Sequence, residues 1–274
     1  MNIVQKIKEG AGEVSEAIDD CRKEATEKAV HKVRTRCRRL EAVVSAVLAT
    51  HPGGPKELRA AGFAVTRKLK KIRRGAGAVR DLDIHLLLIK EMAGKSPDGA
   101  TAKLQKELTR ERKRDAVVML EIIDKHHEGL ENRAAEFLQL VEKLPPRGRQ
   151  VDTAALAMAE FLEASAAMPE LREDNLHDFR KRSKAARYVA EINLRSPRSA
   201  RLAKKLNEIQ DAIGIWHDWD VLTAEAKDTL GKKGAPLVHE FASRRTTSYR
   251  KAIKVARQSQ EQIVRRASAS SNGR

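Results

Sequence analysis

The chain has 274 residues and a formal net charge of +17, with 34% charged residues and only 3% aromatic. That length suits one large domain or two halves around a shared core. The charge implies either a polyanionic partner (nucleic acid, an anionic membrane or an inorganic polyanion) or a strongly cationic, soluble surface. No run of eighteen apolar residues exists, so no bilayer span is expected. The opening Met1-Asn2-Ile3-Val4-Gln5-Lys6 lacks the apolar stretch of a secretory signal, and a cytoplasmic location follows as the expectation.

Residues 1–12 read as a loose lead-in ending at Gly10-Ala11-Gly12. From Glu13 to Thr50 apolar residues recur at threes and fours, the mark of a helix. Cys21 and Cys37 would share that helix, about 24 Å apart at 1.5 Å per residue. They are beyond disulfide reach and are expected as free, half-buried thiols. A second helix is expected from Lys56 to Ala76, stopped by Gly75-Ala76-Gly77, and a third from Val79 or Arg80 to Gly94. Ser96-Pro97-Asp98 opens a long fourth helix that reaches about Leu144, with Gly129 as a candidate break. Pro145 to Gln150 is the linker.

The plan then repeats. Helices are expected at Asp152–Ala167, Glu173–Asn193, Arg198–Ile213 (ended by Gly214), Trp216–Leu230 (stopped by Gly231) and Pro236 to about Arg266. Residues 267–274 are expected to lack structure. No strand-like alternation appears, so the fold class is all-α.

Two marks occur twice in the same order. The first is His31-Lys32-Val33-Arg34 continuing to Arg38, repeated as His177-Asp178-Phe179-Arg180 continuing to Lys184. At about 100° per residue, His31, Arg34 and Arg38 fall on one stripe with Arg39 on its flank. The second mark pairs Leu69, Ile72, Gly77 and Asp81 with Leu206, Ile209, Gly214 and Asp218 at equal spacing. A duplication predicts two helical halves, 13–145 and 151–266, related by a pseudo-twofold, with equivalent faces meeting or opposed across a central groove, together forming one domain over 13–266.

Like charges on one helix stripe repel unless solvent screens them or an anion binds. His31 and His177 are therefore read as anion contacts, against the plainer reading of core histidines satisfied by carbonyls. Arg67, Lys70, Lys71 and Arg74 share one face of the second helix. Its counterpart keeps Lys204 and Lys205 but has Asn207, Glu208 and Asp211 where bases would follow. The second half compensates with Arg180, Lys181, Lys184 and Arg187 on one arc. Arg36 and Arg182 point about 140° from the histidine and read as solvated surface. Asp81 and Asp218, each after a helix-ending glycine, read first as caps of the next helix and second as partners that hold the basic stripe. Trp216 and Trp219 read as core plugs rather than stacking platforms. Neither Asp83 with His85 nor Asp124 with His126 and His127 sets several ligands on one face, so no metal is expected, and no cofactor.

The paired His-x-x-Arg-x-x-x-(Arg/Lys) helices and the paired Gly-x-x-x-Asp marks resemble the CHAD domain, the conserved histidine α-helical domain. The likeness runs from about Glu13 to Arg266, and the string Leu206, Ile209-Gln210-Asp211-Ala212-Ile213-Gly214, His217-Asp218 is especially similar to the family pattern. The resemblance implies an all-α fold of two four-helix-bundle halves and a non-catalytic binder of inorganic polyphosphate in a central basic groove or pore, with phosphate or sulfate ions able to stand in its place, associated with polyphosphate granules. By matching position it implies a basic-site role for His31, Arg34, Arg38, Arg39, Arg74, His177, Arg180, Lys184 and Arg187. Helical phase adds Arg67, Lys71, Lys181 and Lys204. Glu41 and Ala185 stand where the family often carries bases. No alternating Glu-x-Glu-x-Lys segment exists, so the triphosphate-tunnel activity of many relatives is not implied.

Rows of Arg forks and Lys point charges suit a polymer of phosphates that has no bases to read. The rivals are a non-specific nucleic-acid binder, an enzyme acting on phosphate compounds, and a basic scaffold for a protein partner. The first usually wants stacking aromatics, which are scarce here. The second needs an acid cluster for metal or a nucleophile beside a base, and the sequence displays neither.

Overall fold

Leu-, Ala-, Lys- and Glu-rich segments with apolar spacing of three and four form long helices, and no β-strand occurs among the described residues. The computed structural model describes residues 2–93, 98–145 and 151–271. In chain order the helices are α1 (Ile3–Lys23), α2 (Glu27–Thr50), α3 (Lys56–Ala93), α4 (Gly99–Glu142), α5 (Thr153–Ala167), α6 (Glu173–Glu191), α7 (Pro197–Leu230) and α8 (Ala235–Ser271). A short 3-10 turn, Gly231–Gly234, joins the last two.

Several boundaries differ from the sequence reading. The lead-in is helical, because Asn2 caps α1 by accepting from the Val4 N–H at 3.1 Å and Ile3 and Ile7 are buried. The expected single helix over Glu13–Thr50 is two. It breaks at Glu24-Ala25-Thr26, where the Thr26 hydroxyl caps α2 by accepting from the Ala29 N–H. Arg112 from α4 steadies the break, donating to the Ala25 carbonyl at 2.7 Å and to Asp83 at 2.9 Å. The two cysteines therefore sit on different helices, and both are free and fully buried rather than half-buried. Burial pushes the Cys37 thiol up to about 12 and raises Cys21 as well.

The glycines expected as stops lie inside helices. α3 runs through Gly75 and Gly77, α4 through Gly129 and α7 through Gly214. Gly75 marks a close approach: a Cβ there would stand 3.3 Å from Ile122 Cδ1 and 3.5 Å from the Met119 backbone. A helix-interior glycine costs about 1 kcal/mol relative to alanine, which tertiary packing offsets. Gly231 does end its helix, at φ +56° with its N–H on the Lys227 carbonyl. The last helix continues to Ser271, so residues 267–271 of the expected tail are helical. Residues 272–274, most of the 145–150 linker, the Gly94 stop and the Ser96-Pro97 helix start lie outside the described residues.

The chain divides into two compact units. Unit 1 comprises Met1–Asp83, Glu111–Leu156 and Glu191–Asn193; unit 2 comprises Ile84–Arg110, Ala157–Ala190 and Leu194–Arg274. The core of unit 1 is aliphatic: Ile18, Val33, Leu40, Val44, Leu58, Leu69 and Ile72 are all buried, with Phe137 among them. Unit 2 adds aromatics, with Phe161 edge-on to Phe179 at 5.8 Å and Trp219 tilted on Phe241 at 5.5 Å. Trp216 and Trp219 are core residues, as their scarcity suggested, 4% and 6% exposed. Gln260 of α8 donates to the Met168 carbonyl just past the end of α5, and Arg257 to the Leu171 carbonyl in the turn that leads to α6.

Candidate functional site

In unit 1 the site residues come from α2 and α3. His31 is the fifth residue of α2 and is exposed, with the Thr35 hydroxyl 3.5 Å from its Nε2. Arg34, half-buried, donates to Asp81 at 3.0 Å, and Arg80 donates to Glu27 at 2.5 Å. Asp81 is therefore no helix cap. α3 continues through it, and its carboxylate holds the first arginine of the stripe. Arg38 is half-buried, and Arg39 is exposed with Glu191 at 3.9 Å.

Glu41 lies beside this row and is bound by Arg73 at 2.9 Å, both side chains 18% exposed. Burial raises its carboxyl above the usual range, against the pull of Arg73, Arg38 and Lys70. The substitution of an acid for a base at 41 thus takes up Arg73 on the inner side of α3. Arg67, Lys71 and Arg74 face the other way, and Lys70 stands between, exposed but near enough to act on Glu41. All four are exposed, and none forms an ion pair with a carboxylate among the described residues. Arg36 is not simply solvated: it turns back to α1 and pairs with Glu13 at 2.8 Å.

In unit 2 the equivalent helices are α6 and α7. His177 is again the fifth residue of its helix, and its ring lies 4.6 Å from that of His217. Burial lowers the His177 pKa first, and Lys181 and Arg180 lower it further against Asp178. The neutral ring is favoured, and an anion that offsets the neighbouring cations would favour the charged form. Arg180 lies against Gly214, its Nη2 3.3 Å from where a Cβ would stand. This glycine therefore makes room for the motif arginine. Asp218, half-buried within α7, is no cap either. Lys184 is half-buried. Lys181 is exposed and paired with Asp178 at 3.0 Å, which leaves it a lesser contributor. Arg187 donates to Asn207 and covers the Tyr188 ring at 4.7 Å. Lys204 is exposed without a carboxylate partner among the described residues, whereas Lys205 pairs with Glu208. Arg182 is exposed, 3.8 Å from Glu163.

The sequence reading missed His217 against His177, Asn207 holding Arg187, and Gly214 as the seat of Arg180. Only the glycine left a signal, since an interior glycine in a long helical pattern marks a close approach as readily as a stop. The two metal pairs weighed earlier are otherwise engaged: Asp83 by Arg112, His85 by Glu225 at 2.8 Å, Asp124 by Arg22, and His127 by Ser15 and Arg22. No group of three or more His, Cys, Asp or Glu side chains among the described residues could hold a metal ion. No helix there is long and apolar enough to cross a membrane.

The CHAD domain family model matches residues 12–227. No curated protein matches the sequence. Among solved structures, the CHAD domain from the plant Ricinus communis is similar at TM-score 0.66 and 14% identity, covering 95% of this chain and 90% of that one. PptA from Streptomyces chartreusis is similar at TM-score 0.65 and 17% identity, covering 96% and 98%. At these identities the structures speak for the fold alone, while the family model covers most of the residues that carry the repeated motifs, and the chain belongs to the CHAD domain family.

Proposed function

We propose that this protein binds inorganic polyphosphate without chemically transforming it. The anion lies along the helix rows of His31, Arg34, Arg38, Arg39, Arg67, Lys71 and Arg74 in unit 1 and of His177, Arg180, Lys181, Lys184, Arg187 and Lys204 in unit 2. The carrying observation is the α3 face, where Arg67, Lys71 and Arg74 stand exposed with no ion-paired carboxylate among the described residues. Arg73 on the other side of the same helix is paired. A row of this kind carries uncompensated repulsion, which a polyanion removes. The association of CHAD domains with polyphosphate supports the same ligand. A cytoplasmic protein that collects at polyphosphate granules is the cellular setting proposed.

Long-chain polyphosphate is titrated against single-stranded and duplex DNA at matched charge and physiological salt. The expected result is much tighter binding of polyphosphate, with few aromatics available for bases to stack on. Affinity should fall steeply with salt, because released counterions scale with the phosphates contacted. Equal affinities would replace this reading with a generic polyanion binder.

A further inference from the structure

Two adjacent histidines on α4 have opposite environments. His127 is satisfied: Arg22 Nη1 lies 3.0 Å from its Nδ1 and the Ser15 hydroxyl 3.0 Å from its Nε2, with Glu131 at 3.4 Å. His126 is buried, 8% exposed, and its Nδ1 has no hydrogen-bond partner among the described residues. The charged groups that act on it are Lys68 and Lys71 from α3 and Lys125 from α4, all of one sign, with no carboxylate opposing them. None of the three lysines pairs with a carboxylate among the described residues. Gly129, one turn along α4, leaves space for Lys68, whose Nζ lies 2.8 Å from the position a Cβ would take. Three ammonium groups and a buried, unpartnered imidazole suit one kind of occupant, a compact oxyanion that accepts several charge-assisted hydrogen bonds. They repel metal cations.

We propose that Lys68, Lys71, Lys125 and His126 form a second anion site on unit 1, one that holds a single phosphate group. The site shares Lys71 with the α3 row but does not depend on the polyphosphate reading, since a free phosphate or pyrophosphate has the same chemistry as one unit of a longer chain. Burial and the three lysines lower the ring's pKa and keep it neutral at pH 7 in the empty state. A bound dianion reverses that balance and favours the imidazolium, which gains an N–H donor. Binding therefore takes up a proton and tightens as pH falls.

The test follows the imidazole proton and carbon resonances of His126 against pH in the full chain, alone and with pyrophosphate or long-chain polyphosphate, with His127 as internal control. Either ligand should raise the His126 pKa by about one unit or more, the size expected for a counter-charge in contact. The shift should vanish in a Lys68→Gln/Lys125→Gln variant whose circular dichroism is unchanged. A shift with pyrophosphate assigns the site to small phosphates, and a shift with the polymer alone assigns it to one phosphate of a chain. If neither ligand moves the ring, or the double variant responds like the parent, there is no site. An Arg67→Gln/Arg74→Gln variant separates the two readings. If it loses polyphosphate affinity while His126 still responds to pyrophosphate, the sites are distinct. If polyphosphate fails to bind while pyrophosphate moves the ring, only the polymer reading falls.

Discussion

The α2–α3 pair of unit 1 and the α6–α7 pair of unit 2 carry the same motifs and hold them differently. In unit 1 the histidine is exposed, the motif arginine is pinned by Asp81, and the added charge stands on the second helix as Arg67, Lys71 and Arg74. In unit 2 the histidine is half-buried against a second histidine, and the added charge stands on the motif helix as Arg180, Lys184 and Arg187. The second helix there keeps Lys204 and then turns to Asn207 and Asp211, which bond to each other at 2.7 Å. Unit 1 thus offers fixed, exposed charge, whereas unit 2 offers partly shielded charge with a titratable ring. Under a common motif, the neighbours on the partner helix decide whether a base is available to a ligand.

The largest effect should come from the exposed row. Arg67, Lys71 and Arg74 all changed to Glu should weaken polyphosphate binding by more than about 2 kcal/mol, since charge-assisted contacts contribute roughly 1.5–3 kcal/mol each. Melting without ligand should hold or rise, because no ion pair is lost and repulsion falls. Unfolding of this variant would show that the row has structural partners. Reversal of Arg38 and Lys184 together should also cost about 2 kcal/mol of binding or more. Lys204→Glu should cost less, about 1 kcal/mol, because its helix offers no neighbouring base row. Isothermal titration separates the three, and equal losses would make net charge the determinant. Arg110, exposed on α4 with only a contact to Glu107 one turn away on the same helix, serves as the negative control; Arg36 does not, because it is half-buried and ties α2 to α1 through Glu13.

The pH response should sharpen the same contrast. The folded-state pKa of His177 lies below its ordinary value, and so does that of His126. Each ring binds fewer protons folded than unfolded, so stability rises with pH in this window. Ligand-free melting should drop as pH falls below about 6.5, the ordinary histidine value. Saturating polyphosphate should reduce or reverse the drop by favouring the imidazolium. His177→Gln should flatten part of the ligand-free response. A pH response untouched by His177→Gln would remove that ring from the account.

Smaller effects are expected at the positions that hold the bases. Gly214→Ala adds helix propensity of about 1 kcal/mol but places a methyl 3.3 Å from Arg180 Nη2. Stability should stay level or rise while polyphosphate affinity falls a few-fold; unchanged affinity would mean that Arg180 needs no fixed seat. Asp81→Asn releases Arg34 and should cost about 0–1 kcal/mol of stability, the range for a partly exposed pair. The corresponding change in unit 1 affinity, read by titration, should be a small gain from the freed guanidinium.

The amino-acid sequence by itself determined the all-α class, the two rounds of helices and the phase of the basic stripes, because 3.6-residue periodicity is a local property that burial of one face preserves. It also placed the tryptophans in the core, since large apolar rings in so charged a chain leave water. Glycines 75, 77, 129 and 214 read as stops only in isolation; in the folded chain, burial along α3, α4 and α7 outweighs their small local cost. The break at Glu24-Ala25-Thr26 was missed because Thr26 capping α2 and Arg112 holding the Ala25 carbonyl restore hydrogen bonds that local pattern counts as lost. Which bases are available was decided by the tertiary structure alone. Arg73 and Arg74 are neighbours in sequence, yet one faces Glu41 in the interior and the other faces solvent. His126 and His127 differ in the same way, one ring satisfied by α1 and the other left among lysines. Charge availability depends on what the adjoining helix presents across a few ångströms, and that information lies in residues distant along the chain.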